Sequence, residues 1–169
     1  MLVCYLDASA WAKRYTREPG CSVIDLLMDE LATSDDALLL ISGVAYAETV
    51  ATANRFRHRT GMSDEDFVLL LQRIRQDLAR TTWIPITDRN FRDAVDLILT
   101  HNINSSDAAQ LATIQRLPVV WTAEASHQVY VVSADKRMLR AARREGLKTL
   151  DPEIATLRET LDLLTNKGD

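Results

Sequence analysis

The strongest constraint on the fold is a repeated order of short apolar runs and longer segments with helical periodicity. The runs are too short for most helices, and the longer segments place apolar residues three and four positions apart. Strands that alternate with helices are typical of an α/β domain built on a parallel sheet. The predicted strands are residues 2–6, 38–41, 83–86, 129–132 and a short fifth at 148–150. The predicted helices are residues 21–31, 42–59, 64–80, 88–99, 106–116, 135–144 and 152–164.

The length and composition of the chain fit a single domain over residues 1–169. Its 169 residues, of which 47% are apolar, suffice to bury a full core without disulfides or structural metals. The sequence contains no internal repeat, low-complexity tract or Pro/Gly-rich linker that would mark a domain boundary. One segment, LPVVWTAEASHQ at 117–128, does not fit the alternation, and we interpret it as an insertion or an extra strand.

Charge and cysteine content narrow the functional class. A net charge of −4 argues against a nonspecific nucleic-acid binder held by bulk charge, although the segment 136–148 is strongly basic. Cys4 and Cys21 show no CxxC spacing, so we expect reduced thiols and a cytoplasmic protein. Since no apolar stretch approaches the roughly 18 residues that a membrane-spanning helix needs, we expect no membrane association.

Acidic residues follow three of the predicted strands. LVCYL leads into Asp7, LLLIS leads into the helix that carries Glu48, and VYVVSA leads into Asp135. The carboxyl ends of parallel strands meet at one edge of a sheet, where ligand crevices form. A fourth acid, Asp107, opens the helix SDAAQLATI. We therefore expect at least three of these four carboxylates to lie along one rim.

Helix capping is the alternative explanation for these acids. Asp7, Asp107 and Asp135 stand at or near predicted helix starts, where a carboxylate can accept hydrogen bonds from free N–H groups. Capping explains Glu48 poorly, because this residue lies past the first turn on the apolar face of its helix. A lone half-buried carboxylate costs several kcal/mol unless it is paired, and we find no lysine or arginine nearby at helical spacing.

A divalent-cation site accounts for all four acids together. Clustered carboxylates raise one another's pKa, and a hard cation with oxygen ligands offsets that repulsion. The acids come without cysteine or histidine at ligand spacing, which favours Mg²⁺ or Mn²⁺ over Zn²⁺. Acid-only metal sites are suited to phosphodiester hydrolysis. The histidines, interpreted as surface residues, are His58, His101 and His127.

Four segments resemble, in order, the motifs of the PIN-domain nucleases, in particular the VapC-like toxins of toxin–antitoxin pairs. YLDASAWAKRYTREPG is similar to the first motif and contains Asp7, and ISGVAYAETVATA is similar to the second and contains Glu48. INSSDAAQLATI resembles the third motif, with Asp107 as its acid. VYVVSADKRMLRAARREGLKTLDP resembles the fourth, with Asp135 as its acid.

The stretch between the third and fourth motifs departs from the family pattern. VVWTAEA at 119–125 imitates the fourth motif, with Thr122 and Glu124 where Ser133 and Asp135 stand in the later copy. The later copy is preferred, because KRMLRAARREGL continues it as in the family. The spacing between the third and fourth acids is longer than expected.

The resemblance covers nearly the whole chain and carries expectations about fold and function. It implies a three-layer α/β/α sandwich with a mainly parallel sheet of four to five strands, and a ribonuclease that depends on Mg²⁺ or Mn²⁺. It also implies frequent homodimers and a cognate antitoxin whose C-terminal segment covers the active site. The helices predicted within 42–80 are a candidate dimer or antitoxin surface, although their apolar stripes are equally explained as core.

The motifs also imply individual roles. All four acids are predicted to be catalytic and metal-binding, with Asp135 acting directly or through water. Ser9 and Ser133 are predicted to orient water at the metal, with helix capping as the alternative for Ser133. The residues predicted to contact RNA are Lys13, Arg14, Lys136, Arg137 and Arg140. A solvated helix face explains this basic set equally well.

Other function classes fit the sequence less well. A haloacid-dehalogenase-like phosphohydrolase also places an aspartate after its first strand, but it needs a second aspartate two residues on, where this chain has Ser9. A dinucleotide-binding oxidoreductase would need G-x-G-x-x-G, and the five glycines are scattered. A catalytically silent PIN-like module that binds RNA or protein stays open, although the intact acids argue against it.

Overall fold

The computed structural model describes residues 1–121 and 128–165. The strands are β1 (Leu2–Leu6), β2 (Ala37–Ser42), β3 (Thr82–Ile84), β4 (Gln128–Val132) and β5 (Lys148–Leu150). The helices are α1 (Ala8–Trp11), α2 (Lys13–Thr16), α3 (Cys21–Leu31), α4 (Gly43–Thr60), α5 (Asp64–Leu78), α6 (Asp88–His101), α7 (Ser105–Trp121), α8 (Lys136–Arg144) and α9 (Leu157–Thr165). None of these helices is both long enough and apolar enough to cross a bilayer.

The described strands form one parallel sheet in the order β3-β2-β1-β4-β5. Side chains of β1 alternate between its two faces. Leu2, Cys4 and Leu6 belong to a core shared with α1–α5 and α9, while Val3 and Tyr5 belong to a second core shared with α6–α8. Because helices cover both faces, the strand reads as an uninterrupted apolar run. The predicted three-layer α/β/α sandwich is confirmed.

The strand register places the carboxyl ends of β1 and β4 side by side. Leu6, the last residue of β1, pairs with Val132, the last residue of β4. The strand order reverses between these two strands, because β2 and β3 lie on one side of β1 while β4 and β5 lie on the other. A reversal of this kind opens a crevice beyond the strand ends. The segments that follow β1 and β4 are therefore neighbours there.

Helix α7 is longer than predicted. The helix expected at 106–116 runs from Ser105 to Trp121, so residues 117–121 are helical instead of an insertion or an extra strand. The reason is packing, because Leu117 continues the buried face of Leu111 and Ile114. The rest of the segment, 122–127, lies outside the described residues, and with it the predictions for Thr122, Glu124 and His127.

Helix α9 is shorter than predicted, since the helix expected at 152–164 begins only at Leu157. A capping box sets this start. The Thr156 hydroxyl accepts a hydrogen bond from the Glu159 N–H at 3.1 Å, and the Glu159 carboxylate accepts one from the Thr156 N–H at 2.8 Å. The T-x-x-E signal at 156–159 was available in the sequence.

The expectation of surface histidines holds for His58, which is exposed, and is wrong for His101. The His101 side chain is only 4% exposed, and its Nε2 lies 2.6 Å from the carboxylate of Glu145. This contact joins the end of α6 to the end of α8.

Candidate active site

The four predicted acids line one cavity of about 330 Å³ at the carboxyl edge of the sheet. Asp7 follows β1, Glu48 lies on α4 after β2, and Asp135 follows β4. Asp107 reaches the cavity from the first turn of α7. The parallel register and the reversal of strand order thus bring together side chains that are far apart in the chain.

Asp7 is almost fully buried and is held by two serine hydroxyls. Its Oδ2 accepts hydrogen bonds from the Ser9 hydroxyl at 2.5 Å and from the Ser133 hydroxyl at 2.9 Å. The same oxygen caps α1 through the Ser9 N–H at 3.3 Å. Among the described residues, nothing donates to Oδ1 of Asp7. Capping therefore uses one oxygen of this carboxylate and leaves the other free.

Ser9 also connects the segment after β1 to the segment after β4. Its Oγ accepts hydrogen bonds from the N–H groups of Ala134 at 2.9 Å and Asp135 at 3.2 Å. The Ser133 hydroxyl accepts from the Asp135 N–H at 3.0 Å. Ser133 does not cap α8, because the Asp135 carboxylate does so. The two serines fix Asp7 and the backbone of Asp135 relative to each other.

Asp135 and Glu48 use their carboxylates differently. Asp135 caps α8, and its Oδ1 accepts from the N–H groups of Arg137 at 2.6 Å and Met138 at 3.2 Å. Glu48 is half-buried, and its carboxylate makes no hydrogen bond or ion pair with a described residue. Among the described residues, one oxygen of Asp135 therefore has hydrogen-bond donors, and neither carboxylate oxygen of Glu48 does.

Asp107 is 7% exposed and does not cap α7, so the capping alternative is wrong for this residue. The cap is Asn104, whose Oδ1 accepts from the Asp107 N–H at 2.8 Å. Burial and, to a smaller extent, the charges of Asp7, Asp135 and Glu48 raise the pKa of Asp107 to about 7, while a side-chain hydrogen bond with Asn104 acts to lower it. The three other carboxylates therefore disfavour a negative charge on Asp107.

A buried hydroxyl beneath the cavity joins three of the elements that build it. The Tyr5 hydroxyl lies 2.8 Å from Oγ of Ser42 and 2.7 Å from Oε1 of Gln110, which connects β1, the end of β2 and α7. Burial raises the pKa of Tyr5, and the charges of Asp7, Glu48 and Asp107 add to this effect. The apolar run around Tyr5 contained no signal for this network.

The donor chemistry of the cavity fits a hard divalent cation. The four acids offer carboxylate oxygens, and a bound cation would offset both the burial of Asp107 and the charges of Asp7, Asp135 and Glu48 that raise its pKa. Within residues 1–121 and 128–165, however, no three Asp, Glu, His or Cys side chains stand close enough to hold a metal ion as they are placed. The residue types suit such an ion, but the described side chains are too far apart, as they stand, to coordinate it together.

The cavity also contains a basic residue that was not predicted from the sequence. Arg55 lines it from α4, seven positions after Glu48 and so on the same helix face. The expectation that no arginine lies at helical spacing from Glu48 is therefore wrong, although the two side chains form no ion pair. Counting to the second turn of the helix would have found Arg55.

Lys13 is buried, which argues against the predicted contact with RNA. It is 3% exposed, and its Nζ lies 2.7 Å from the carboxylate of Glu153 and 3.9 Å from that of Glu18. Glu153 also accepts from Lys136 at 3.1 Å, and these two contacts lower its pKa. Lys13 therefore anchors α2 to the turn before α9.

Arg14 is also buried, so its predicted RNA contact is wrong. Its guanidinium forms ion pairs with Asp77 at 2.9 Å, Asp25 at 2.7 Å and Asp29 at 3.0 Å. The hydroxyl of Tyr15 donates to the same Asp77 at 2.9 Å. Arg14 joins α2 to α3 and α5.

The remaining basic residues lie at the surface of α8. Arg137 and Arg140 are exposed and form no side-chain ion pair with a described residue. Lys136 is exposed as well, but its Nζ contacts Asp151 at 2.5 Å. Lys136, Arg137 and Arg140 therefore remain candidate RNA contacts.

Comparison with known proteins identifies the family. The PIN domain model matches residues 4–144. Among curated proteins, none matches this chain.

Several solved structures share the fold. PAE2754 from Pyrobaculum aerophilum superposes with a TM-score of 0.60 at 10% sequence identity, over 96% of this chain and 95% of that one. FitAcB from Neisseria gonorrhoeae gives 0.61 at 16% identity, over 92% and 100% of the two chains. FitAB bound to an IR36 DNA fragment gives 0.60 at 16% identity, over 92% and 98%. With its family match over most of its length, this chain belongs to the PIN domain family.

Proposed function

We propose that this protein is a divalent-cation-dependent endoribonuclease that hydrolyses RNA phosphodiester bonds. The observation that carries the proposal is the placement of four carboxylates, from four separate elements, around one cavity. Membership of the PIN domain family supports a nuclease. The resemblance of the motifs to VapC-like toxins supports RNA as the substrate.

The four acids would hold Mg²⁺ or Mn²⁺, and Asp135 would act directly or through water. When bound, the cation lowers the pKa of an attacking water and stabilises charge on the phosphate and the leaving oxygen. Ser9 and Ser133 hold Oδ2 of Asp7, which leaves Oδ1 for the site. Without a cation, the cavity would repel a phosphodiester through its own negative charge.

Glu48 offers a clean test, because among the described residues its carboxylate has no hydrogen-bond or ion-pair partner that a glutamine would lose. We expect Glu48→Gln to lower RNA cleavage at least about a hundredfold, since several kcal/mol of charge stabilisation at the transition state are lost. Asp7→Asn should also abolish cleavage while leaving the circular-dichroism melt nearly intact. EDTA should stop wild-type cleavage, and added Mn²⁺ should restore it.

The matched control is Glu65→Gln, which removes an exposed acid of α5 that does not line the cavity. Its cleavage rate should equal that of the wild type. Full cleavage by Asp7→Asn or Glu48→Gln would overturn the proposal. Tight Mn²⁺ binding without cleavage of any RNA would favour the silent RNA- or protein-binding module instead.

Exposed basic residues of α8 are the proposed RNA surface. Replacing Lys136, Arg137 and Arg140 together with glutamine should weaken RNA binding and flatten its dependence on salt, because each lost phosphate contact lowers the slope by about 0.7 for a single strand. An unchanged slope would assign these residues to a solvated face.

We also propose a cognate antitoxin as partner, on the strength of the resemblance to VapC-like toxins. The test is genomic and biochemical. A small DNA-binding protein encoded immediately upstream should co-purify with this chain and inhibit its cleavage of RNA. A purified neighbour that neither binds nor inhibits would contradict the antitoxin assignment. Cytoplasmic location stays a prediction from the cysteine content.

We further propose a homodimer with α6 in its interface. Phe91, Val95 and Leu99 are spaced by four residues and are 50%, 51% and 79% exposed. Trp83 of β3 is also half-exposed and lines a shallow cavity together with Phe91. Contiguous exposed apolar patches are typical of protein–protein contacts. The earlier candidate surface, within 42–80, exposes Val68 and Leu69.

A further inference from the structure

The described lining of the carboxylate cavity includes one basic side chain, that of Arg55. An arginine beside several carboxylates ordinarily forms an ion pair with at least one of them, and Arg14 forms ion pairs with three aspartates. Arg55 forms no ion pair with any described residue. Its positive charge is therefore not used to neutralise the acids of the cavity.

The position of Arg55 on α4 sets its distance from the acids. Glu48, Ala51, Thr52 and Arg55 all line the cavity, at positions i, i+3, i+4 and i+7 of one helix face. At 1.5 Å per residue, the backbones of Glu48 and Arg55 are about 10 Å apart along the helix axis. The two residues between them are small. One face of α4 therefore runs from a carboxylate to a guanidinium without a bulky side chain in between.

Thr52 orients the guanidinium toward the acids. Nη2 of Arg55 donates to Oγ1 of Thr52 at 2.7 Å, and the Thr52 hydroxyl donates to the carbonyl oxygen of Glu48 at 2.9 Å. Thr52 lies one turn nearer to Glu48, so the hydrogen bond draws the arginine toward the carboxylate end. A guanidinium has five N–H donors, and this bond uses one of them. The others have no partner among the described residues.

We propose that Arg55 binds a backbone phosphate of the RNA next to the scissile bond and acts as a substrate-positioning residue. This inference rests on the proposed ribonuclease function. A free small anion is a poor occupant, because the neighbouring carboxylates repel it. A polynucleotide is favoured because its successive phosphates can occupy both ends of the α4 face, the reacting phosphate near the acids and a neighbouring one at Arg55. The fork of a guanidinium suits phosphate recognition.

The test is RNA binding by Arg55→Gln, with Arg55→Lys and Arg59→Gln alongside. The probe is a single-stranded RNA oligonucleotide of mixed sequence, and Glu48→Gln is present in every variant so that cleavage does not consume it. Arg55→Gln should weaken binding about tenfold, the effect of one charge-assisted contact. It should also lower the salt slope by about 0.7. Arg55→Lys should restore the slope, because it keeps the charge.

Arg59 is the matched control. It is an exposed arginine on the same helix, four positions further, and it pairs with Glu18 at 3.4 Å away from the cavity lining. Arg59→Gln should leave RNA affinity unchanged. Thr52→Val, which removes the hydroxyl that orients Arg55, should weaken binding by less than Arg55→Gln. With Glu48 intact, Arg55→Gln should raise KM for RNA cleavage more than it lowers kcat.

Three other outcomes would overturn the inference, and they show whether the proposed ribonuclease function fails with it. Equal RNA affinity of Arg55→Gln and Arg59→Gln, with cleavage by the wild type, overturns the role of Arg55 and leaves the ribonuclease intact. A larger effect of Arg55→Gln on Mn²⁺ affinity or on the melting temperature than on RNA affinity assigns Arg55 to the structure of the site. A wild-type protein that neither binds nor cleaves RNA overturns both.

Discussion

At the scale of single residues, a position near a helix start leads to capping for some of the acids and not for others. Asp7 and Asp135 each cap the helix that follows them with one oxygen and leave the other uninvolved in capping. Asp107 has no capping role, because Asn104 caps α7. An oxygen that caps a helix accepts hydrogen bonds from the free backbone N–H groups of the first turn. The carboxylates that line the cavity therefore retain oxygens that local structure does not need.

The raised pKa of Asp107 predicts that stability depends on pH. Its ordinary value is 3.8 and its folded value is about 7, so between these pH values the folded chain binds a proton that the unfolded chain has released. Stability should therefore fall as pH rises through this range, with the full loss above pH 7. The measurement is made in EDTA, so that no bound cation masks the effect. Asp107→Asn should not lose stability over this range, and its free energy of unfolding at pH 8 should exceed that of the wild type by at most roughly 4 kcal/mol.

Urea denaturation at pH 4 and pH 8 measures this effect. The two proteins should have similar stability at the lower pH, because asparagine resembles the protonated acid. A parallel loss of stability in wild type and variant across this range would contradict the assignment to Asp107.

The hydrogen bonds of Ser9 predict a structural and a functional effect of one substitution. Ser9→Ala leaves the N–H group of Ala134 without its acceptor and removes one of two acceptors of the Asp135 N–H. It also removes one of the two hydroxyl groups that donate to Oδ2 of Asp7. We expect a loss of about 1–3 kcal/mol in the free energy of unfolding, together with slower RNA cleavage. Ser22→Ala, at an exposed position of α3, is the control for urea denaturation and for cleavage. If the two variants behave alike, Ser9 does not position the site.

At the scale of elements, buried ion pairs hold the helices that follow β1 against the rest of the fold. Arg14 joins α2 to α3 and α5, and Lys13 joins α2 to the turn before α9. These contacts lie directly after the turn that carries Asp7 and Ser9. Basic residues that resembled an RNA surface in the sequence therefore stabilise the frame behind the site.

Removal of Asp77 tests this frame. Asp77→Ala leaves the guanidinium of Arg14 and the hydroxyl of Tyr15 without a buried partner, and we expect a loss of about 3 kcal/mol in the free energy of unfolding. Asp29→Ala removes a carboxylate that is 56% exposed and contacts the same Arg14, so its cost should stay below about 1 kcal/mol. Equal losses for the two variants in urea denaturation would contradict this account.

At the scale of the whole molecule, the order of the strands decides where chemistry is located. The reversal between β1 and β4 places the Asp7 and Asp135 segments in contact. The same architecture covers both faces of the sheet with helices and leaves the apolar stripe of α6 at the surface. The cavity and this stripe involve different parts of the fold.

The homodimer proposal predicts that one charge on α6 separates the protomers. Val95→Glu places a charge in the middle of the stripe, and light scattering coupled to gel filtration should change from a dimer mass to a monomer mass. Leu69→Glu on α5, where the leucine is 62% exposed, should leave the dimer intact. A monomeric wild type would contradict the proposal, and dissociation by Leu69→Glu alone would move the interface to α5.

Much of the fold followed from local patterns in the sequence. Apolar runs and helical periodicity predicted the strands and most helices, because the side-chain period of each element is a local property. The boundaries of α7 and α9 were wrong for two reasons. Buried packing of Leu117 extends the first helix, and the capping box at Thr156 delays the second.

The sequence by itself determined which acids stand after which strands, since that depends only on the order of residues along the chain. Only the tertiary structure decided what each charge contacts. Lys13 and Arg14 are buried against carboxylates that lie far away in the sequence, whereas Arg55 lines the cavity and forms no ion pair with a described residue. The physical reason is that electrostatic energy depends on burial and on distances in space, and both are set by the packed fold.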